Sequence, residues 1–346
     1  MTIPVSIVGV SGFSGIELVK LVAKDPRFTL VAAISDRWAS TTLGEHVTGL
    51  PAATARLGVV PQSDAKRAAE EADVVFLATP AEVSAEVAPR VLALGKRVID
   101  LSGAFRLPDV DVFRAYYGFD HPEPGLLAEA HYGLPQVPEA AGDAPPIEGA
   151  RLVANPGCYA TAAILPLAAI LRAGLAEPRG LYLDGKSGVT GAGRKVAEKY
   201  LFTEVSENLS TYRIATHQHT PEIELALSRV AKRDVTVTFA PHLVPLRRGL
   251  VVTSFGRLVG EPEKGAIDAC LRAAYPDRDA ESVVSVRSPD AIETQSVWGT
   301  GLAVLGGRAD LRTGAFVAAC AIDNLMKGAA SQAHENLVRM TSATRG

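Results

Sequence analysis

A short β-branched run that passes directly into a glycine turn constrains this chain more than any other feature. Ile3–Val8 is followed at once by Gly9-Val10-Ser11-Gly12-Phe13-Ser14-Gly15, and helical spacing then extends over residues 16–24. A tight strand-to-helix turn needs glycine where φ is positive and where the backbone must come close to a phosphate. The helix N-terminus adds main-chain N–H groups and the positive end of a dipole. Strand, turn and helix together predict a nucleotide site, with Gly9, Ser11, Gly12, Phe13, Ser14 and Gly15 as its contacts.

The pattern continues with strands at 29–34, 73–78 and 97–101 and helices at 64–71 and 85–94. Strands alternating with helices predict βαβ units on a parallel sheet covered on both faces. The second strand ends in Ser35-Asp36-Arg37. At this position an acid suits the ribose of NAD and a base suits the 2′-phosphate of NADP. Local chemistry leaves both open, with Ser35 and Arg37 as the phosphate candidates. Residues 106–149, rich in proline, tyrosine and acids, read as a long irregular connection. Period-2 strands at 235–239, 250–255 and 283–286, with helices at 221–232 and 262–274, then suit an antiparallel sheet. The tail, 323–340, is helical again. Two domains are expected: residues 1–150, joined by a C-terminal helix of about 322–346, and residues 151–321.

Bulk properties exclude several classes. The 346 residues are 47% apolar and 21% charged, with a net charge of -3, which offers no basic surplus for nucleic acid or anionic membranes. No apolar run reaches the roughly 18 residues of a membrane span, and the start lacks a signal-peptide pattern. Cys158, Cys270 and Cys320 are odd in number and far apart, so no disulfide framework follows and a reducing cytoplasm is expected.

Cys158 stands in Asn155-Pro156-Gly157-Cys158-Tyr159, ahead of a strongly helical apolar stretch. A helix start favours a thiolate, which makes Cys158 the candidate nucleophile. Cys270 and Cys320 lie within apolar patterns and read as core. His217 and His219 sit just ahead of a helix whose first turn suits Pro221, and a base beside a cysteine explains them better than a metal. No metal site is expected. Residues 186–195, a glycine loop with hydroxyls and three cations, suit a phosphate or carboxylate, though without P-loop spacing.

The strings GVSGFSG, VIDLSGAFRL, NPGCYATAA, KSGVTGAGR, HQHTPEIE, PHLVP with RGL, and AIDNLMKGAA resemble the N-acetyl-gamma-glutamyl-phosphate reductases in content and order. The resemblance spans nearly the whole chain. It implies an α/β Rossmann-type NADP-binding domain and an α+β catalytic and oligomerisation domain with a mostly antiparallel sheet, as in aspartate-semialdehyde dehydrogenase. It also implies NADPH-dependent reduction of an acyl phosphate in arginine biosynthesis, a Cys158 thioester, His219 and His217 as acid–base groups, and a homodimer or homotetramer. Thr79, Pro80 and Ser102 would join the cofactor contacts. Arg106, Asn155, Ser187, Gly188, Gly191, Arg194, Lys195 and Glu222 would bind substrate. The chain departs from the family at Gly299-Thr300-Gly301, where an asparagine is usual at the third position, and at Ala81-Glu82, where a histidine-glycine pair is common. The alternatives are a reductase of carrier-linked acyl phosphates and a non-catalytic NADP-sensing protein.

Overall fold

The computed structural model describes residues 2–194, 196–276 and 282–342, with only the backbone described at 67 and 68. The chain divides into two compact units. The first comprises residues up to Gly133, Asp143–Pro156 and the tail from Ala329; the second comprises Leu134–Gly142 and Gly157–Gly328. The main cut thus falls inside the Asn155–Cys158 motif.

In the first unit, strands β1 (Ile3–Val8), β2 (Phe28–Ile34), β3 (Val59–Val60), β4 (Val74–Leu77), β5 (Arg97–Asp100), β6 (His131–Tyr132) and β7 (Leu152–Ala154) form one sheet in the order β3-β2-β1-β4-β5-β7-β6. Every pairing in it is parallel. Parallel strands are covered on both faces, and their near-continuous apolar sequence reflects this. One face packs Val5, Ile7, Phe76 and Ile99 with Leu18, Val22 and the tail residues Ala333 and Leu337. The other packs Val8, Ile34, Val75 and Leu77 with Ala85, Ala88 and Val91.

The segment 106–149 is more regular than its composition suggests. It contains helices Val110–Tyr117 and Gly125–Glu129 and the edge strand β6. The Asp109 side chain caps the first helix by accepting from the N–H groups of Asp111 and Val112, and Gly118 ends it at φ 80°. Only Phe113 of that helix is buried, so its apolar stripe is too thin to register as a period.

The second unit holds strands β8 (Leu181–Gly188), β9 (Ser210–Thr211), β10 (Val237–Val244), β11 (Leu250–Arg257), β12 (Val284–Val286), β13 (Ala303–Asp310) and β14 (Ala315–Ile322), in the order β12-β13-β14-β11-β8-β10-β9. Four pairings are antiparallel, while β8–β10 and β12–β13 are parallel, so the sheet is mixed but mostly antiparallel. The helix Cys158–Arg172 packs on β11 and β14 and buries almost every side chain. Tyr275 fixes it by donating to the Leu165 carbonyl at 2.6 Å. Tyr182 and Phe255 are cross-strand partners on the sheet, 57% and 39% exposed. Among the described residues, no helix is long and apolar enough to cross a membrane.

Candidate functional site

In the second unit the site is built around the start of the Cys158–Arg172 helix. Gly157 is its N-cap, in extended conformation and without a side chain to satisfy the first amides. The Glu222 carboxylate fills part of that role: its Oε1 accepts the Gly157 N–H at 2.8 Å, with Glu222 1% exposed. Cys158 itself is half-buried. A Cβ at Gly328 would lie 2.7 Å from the Cys158 Cβ, so glycine is required where the end of the second unit meets the cysteine.

The other two cysteines differ. Cys320 is buried, as expected for core, and burial pushes its thiol up to about 12. Cys270, also expected in the core, is only half-buried, with its thiol pushed up to about 11 by the burial it has. Neither stands at a helix start, so neither has a helix N-terminus to favour its thiolate.

His217 and His219 are both buried, with ring centroids 4.6 Å apart at an edge-on angle of 72°. The helix they precede in sequence begins earlier than its proline, at His219 itself (His219–Ala231). His217 Nδ1 accepts the His219 main-chain N–H at 3.1 Å, which places its proton on Nε2. Burial, reinforced by the neighbouring His219 and Arg213 and opposed by Glu222, pushes the His217 pKa down to about 2. It is therefore a neutral, structural cap near pH 7. Both rings lie against Tyr159, the chain neighbour of Cys158, with centroids 5.6 Å and 6.1 Å away. The Tyr159 hydroxyl donates to the His242 carbonyl at 3.1 Å and accepts from Tyr212 at 3.3 Å. Burial raises both phenols, and Cys158 raises them further, so they stay protonated around the sulfur.

The glycine loop forms a wall of the same unit. Val189 and Thr190 donate main-chain N–H groups to the carbonyls of Leu246 and Arg247, and Gly188 to that of Gly249. Ser187 is buried and its hydroxyl donates to the Gly188 carbonyl at 3.2 Å. A Cβ at Gly188 would meet the backbone of Leu246 and Arg248 at 2.7–2.9 Å. Gly191 and Arg194 are exposed, and Lys195 lies outside the described residues. Lys186 is paired with Asp184.

Arg106 and Asn155 belong to the first unit, where both are buried. Arg106 donates to the carbonyls of Asn155 and Leu101 at 2.8 and 2.9 Å. Asn155 donates to the Ala329 carbonyl at 3.2 Å and accepts from Asn336 at 3.0 Å. These bonds brace the chain just ahead of Pro156-Gly157.

The glycine turn of the first unit has the form that a dinucleotide requires. Gly9 takes φ 94°, and a Cβ there would lie 2.4 Å from the Ala78 carbonyl oxygen. A Cβ at Gly15 would meet the Gly9 oxygen at 2.2 Å. Gly12 caps the helix Phe13–Lys24, which begins with Phe13 and Ser14 and has no side-chain cap and no acid in its first turn, the condition under which a helix N-terminus takes an anion. The Ser35 hydroxyl donates to Ser11 at 2.7 Å, joining the end of β2 to the turn. Asp36 Oδ1 accepts the Gln62 N–H at 2.7 Å, so the acid is engaged by backbone. Arg37 is exposed and has no ion pair among the described residues. A 2′-phosphate fits this arrangement better than a ribose hydroxyl does. Thr79 meets Ser84 at 2.8 Å ahead of the helix capped by Pro80. The Ser102 hydroxyl donates to buried Asp100 at 2.8 Å.

Sequence reasoning did not single out Tyr159, Tyr212, Asp323, Asn324 or Gly328. Tyr159 follows Cys158 directly, and the last three lie in AIDNLMKGAA, a string whose apolar context masks its polar pair.

The chain matches the family described as "Semialdehyde dehydrogenase, NAD binding domain" over residues 4–144 and that described as "Semialdehyde dehydrogenase, dimerisation domain" over residues 158–324. N-acetyl-gamma-glutamyl-phosphate reductase of Symbiobacterium thermophilum is 41% identical over 340 residues, covering 97% of this chain and 94% of that one. The Halorhodospira halophila protein of the same name is 43% identical over 343 residues, covering 98% and 95%. Among solved structures, aspartate semialdehyde dehydrogenase II of Vibrio cholerae aligns over 100% of both chains with a TM-score of 0.73 at 15% identity. The Candida albicans aspartate semialdehyde dehydrogenase with NADP aligns over 99% of each, with a TM-score of 0.66 at 16% identity. These similarities agree with the geometry of both units, and the chain belongs to the N-acetyl-gamma-glutamyl-phosphate reductase family.

Proposed function

We propose that this protein reduces N-acetyl-L-glutamyl 5-phosphate to N-acetyl-L-glutamate 5-semialdehyde with NADPH, releasing phosphate, as a step of arginine biosynthesis. The observation that carries this reading is Cys158 at an N-terminus whose Gly157 N–H is accepted by Glu222, with two buried histidines packed on the adjoining Tyr159, in a chain 41% identical to a reductase of that name.

The Cys158 thiolate attacks the acyl phosphate carbon; the C–S bond forms as the C–O bond to phosphate breaks. Sulfur suits this step because it is nucleophilic near neutral pH and gives an acyl group that remains electrophilic. NADPH, when bound, supplies a hydride at the oxidation level needed to take the thioester to an aldehyde. Cys158 then leaves as thiolate. His219 is the group proposed to take the proton from the thiol and to manage it again as sulfur departs. His217, neutral and committed to the His219 N–H, holds that histidine in place. The glycine loop with Ser187, Gly188, Gly191, Arg194 and Lys195 is proposed to hold substrate anions. Arg106 and Asn155 are proposed to position the Asn155–Cys158 turn, and Glu222 to fix the helix start.

The first unit is proposed as the NADP(H) domain, read by Gly9, Ser11, Gly12, Phe13, Ser14, Gly15, Ser35, Arg37, Thr79, Pro80 and Ser102. A cytoplasmic homo-oligomer is proposed, with the open face around Tyr182 and Phe255 as the contact between copies. Support comes from their exposure and from the dimerisation-domain description of the matching family. The test is the reverse assay, NADP reduction with phosphate, run on N-acetylglutamate semialdehyde and aspartate semialdehyde side by side. The acetylated aldehyde should be strongly preferred; equal use of both, or activity with neither, would remove the assignment.

A further inference from the structure

Asn324 links the glycine loop to the segment that packs on Cys158. Its Oδ1 accepts the Gly249 N–H at 2.8 Å, and its Nδ2 donates to the Thr190 hydroxyl at 3.0 Å. Which end of the amide faces which partner is fixed by chemistry. A main-chain N–H can only donate, so the oxygen must face Gly249 and the nitrogen must face Thr190. The Thr190 oxygen is therefore an acceptor in this bond, and its own hydrogen points elsewhere. Thr190 is 6% exposed, and no acceptor among the described residues takes that hydrogen. A buried hydroxyl hydrogen without a partner costs free energy unless a ligand supplies one.

The anchor of Asn324 is rigid. The adjoining Asp323 is fully buried: Arg248 Nε lies 2.7 Å from its Oδ2, which also accepts the Gly299 N–H at 2.7 Å, and Oδ1 accepts the Leu325 N–H at 2.9 Å. The Asp323 carbonyl in turn accepts the Gly328 N–H at 3.0 Å, and Gly328 is the residue pressed against Cys158. One dipeptide thus ties together the glycine loop, the Arg247-Arg248-Gly249 turn and the wall of the nucleophile. The Gly299 segment, where the chain departs from its family, is held there through its backbone.

The geometry points to Thr190 as a donor to a ligand oxyanion in the glycine loop, with Asn324 as the positioning residue that aims its hydroxyl. The proposal rests on the acyl-phosphate reading of the site. That reading offers two oxyanions, the departing phosphate and the carboxylate of an acylated amino acid, and both are taken up by the same O–H donor.

The test is ligand-observed NMR titration of the intact protein with inorganic phosphate and, separately, with N-acetylglutamate. Thr190→Val removes the donor, Thr190→Ser keeps it, and Asn324→Asp keeps both bonds of position 324 but forces the Thr190 hydrogen toward the carboxylate. Thr190→Val and Asn324→Asp should each weaken at least one ligand by about tenfold or more, the effect of losing a hydrogen bond to a charged group. Thr190→Ser should stay near wild type. The ligand that weakens identifies the source of the oxyanion. The double variant Thr190→Val/Asn324→Asp should be no weaker than the worse single variant, because both changes remove one donor. Full additivity would instead show that the new charge at 324 acts by itself, and would overturn the aiming role. Wild-type binding of both ligands by folded Thr190→Val or Asn324→Asp protein would overturn the proposal outright. Titration needs no turnover, so failure of the reductase reading would appear separately, as an inactive wild type in the reverse assay.

Discussion

Glu222 accepts the main-chain N–H of Gly157 at 2.8 Å, so a carboxylate from one helix caps the N-terminus of another at the residue before Cys158. A buried N–H left without an acceptor costs about 1–3 kcal/mol. Glu222→Ala should lower the unfolding free energy by that amount and disturb the Cys158 turn. Glu222→Gln, which retains a carbonyl acceptor, should recover most of the stability. Chemical denaturation of the three proteins checks this; equal losses in Ala and Gln variants would mean that charge, and not the acceptor, matters.

His217 gives a prediction about pH. Its pKa falls from the ordinary 6.5 to about 2 on folding, chiefly by burial. Between those values the unfolded chain binds a proton that the native protein refuses, so this histidine makes stability fall as pH drops below about 6.5. One proton corresponds to about 1.4 kcal/mol per pH unit. His217→Gln should flatten the stability profile between pH 6.5 and about 4.5 by up to that slope. An unchanged slope in denaturation series across this range would contradict the buried neutral assignment.

His219 is the residue proposed for the proton transfers. Positioned acid–base catalysis is worth about 10²–10⁴-fold, so His219→Asn should lower kcat by that range and flatten the acidic limb of its pH profile. His217→Asn should lower kcat by less, through looser placement of His219. A kcat loss confined to the His217 variant would exchange the roles.

Cofactor choice is proposed to rest on Arg37, beside Asp36. With Asp36 held by the Gln62 N–H, Arg37 is left to meet a 2′-phosphate. Arg37→Ala should reduce kcat/KM with NADPH by about 10–100-fold and leave the value with NADH nearly unchanged, following the worth of a charge-assisted bond. Equal losses with both cofactors would place Arg37 elsewhere.

Local chemistry made parts of this molecule legible from sequence. Gly9 and Gly15 cannot be replaced without striking a carbonyl, and that steric demand leaves a mark in the sequence itself. Cys158 was visible because a turn and an apolar helix flank it. The Val110–Tyr117 helix was hidden because it buries only Phe113, although Asp109 and Gly118 mark both its ends. The parallel pair β8–β10 was also hidden, since parallel and antiparallel strands share the same two-residue period. The Thr190–Asn324 bond joins residues 134 positions apart, and only the fold brings them together.

The Cys158 thioester can be seen directly by intact-protein mass spectrometry after rapid mixing with acyl phosphate in the absence of NADPH. The expected result is one added N-acetylglutamyl group, mapped to Cys158, absent in Cys158→Ala and discharged when NADPH is supplied. Cys270 and Cys320, whose thiols burial holds at about 11 and 12, should remain unmodified. Full reductase activity in Cys158→Ala, or an acyl group on any other residue, would rule out the Cys158 thioester.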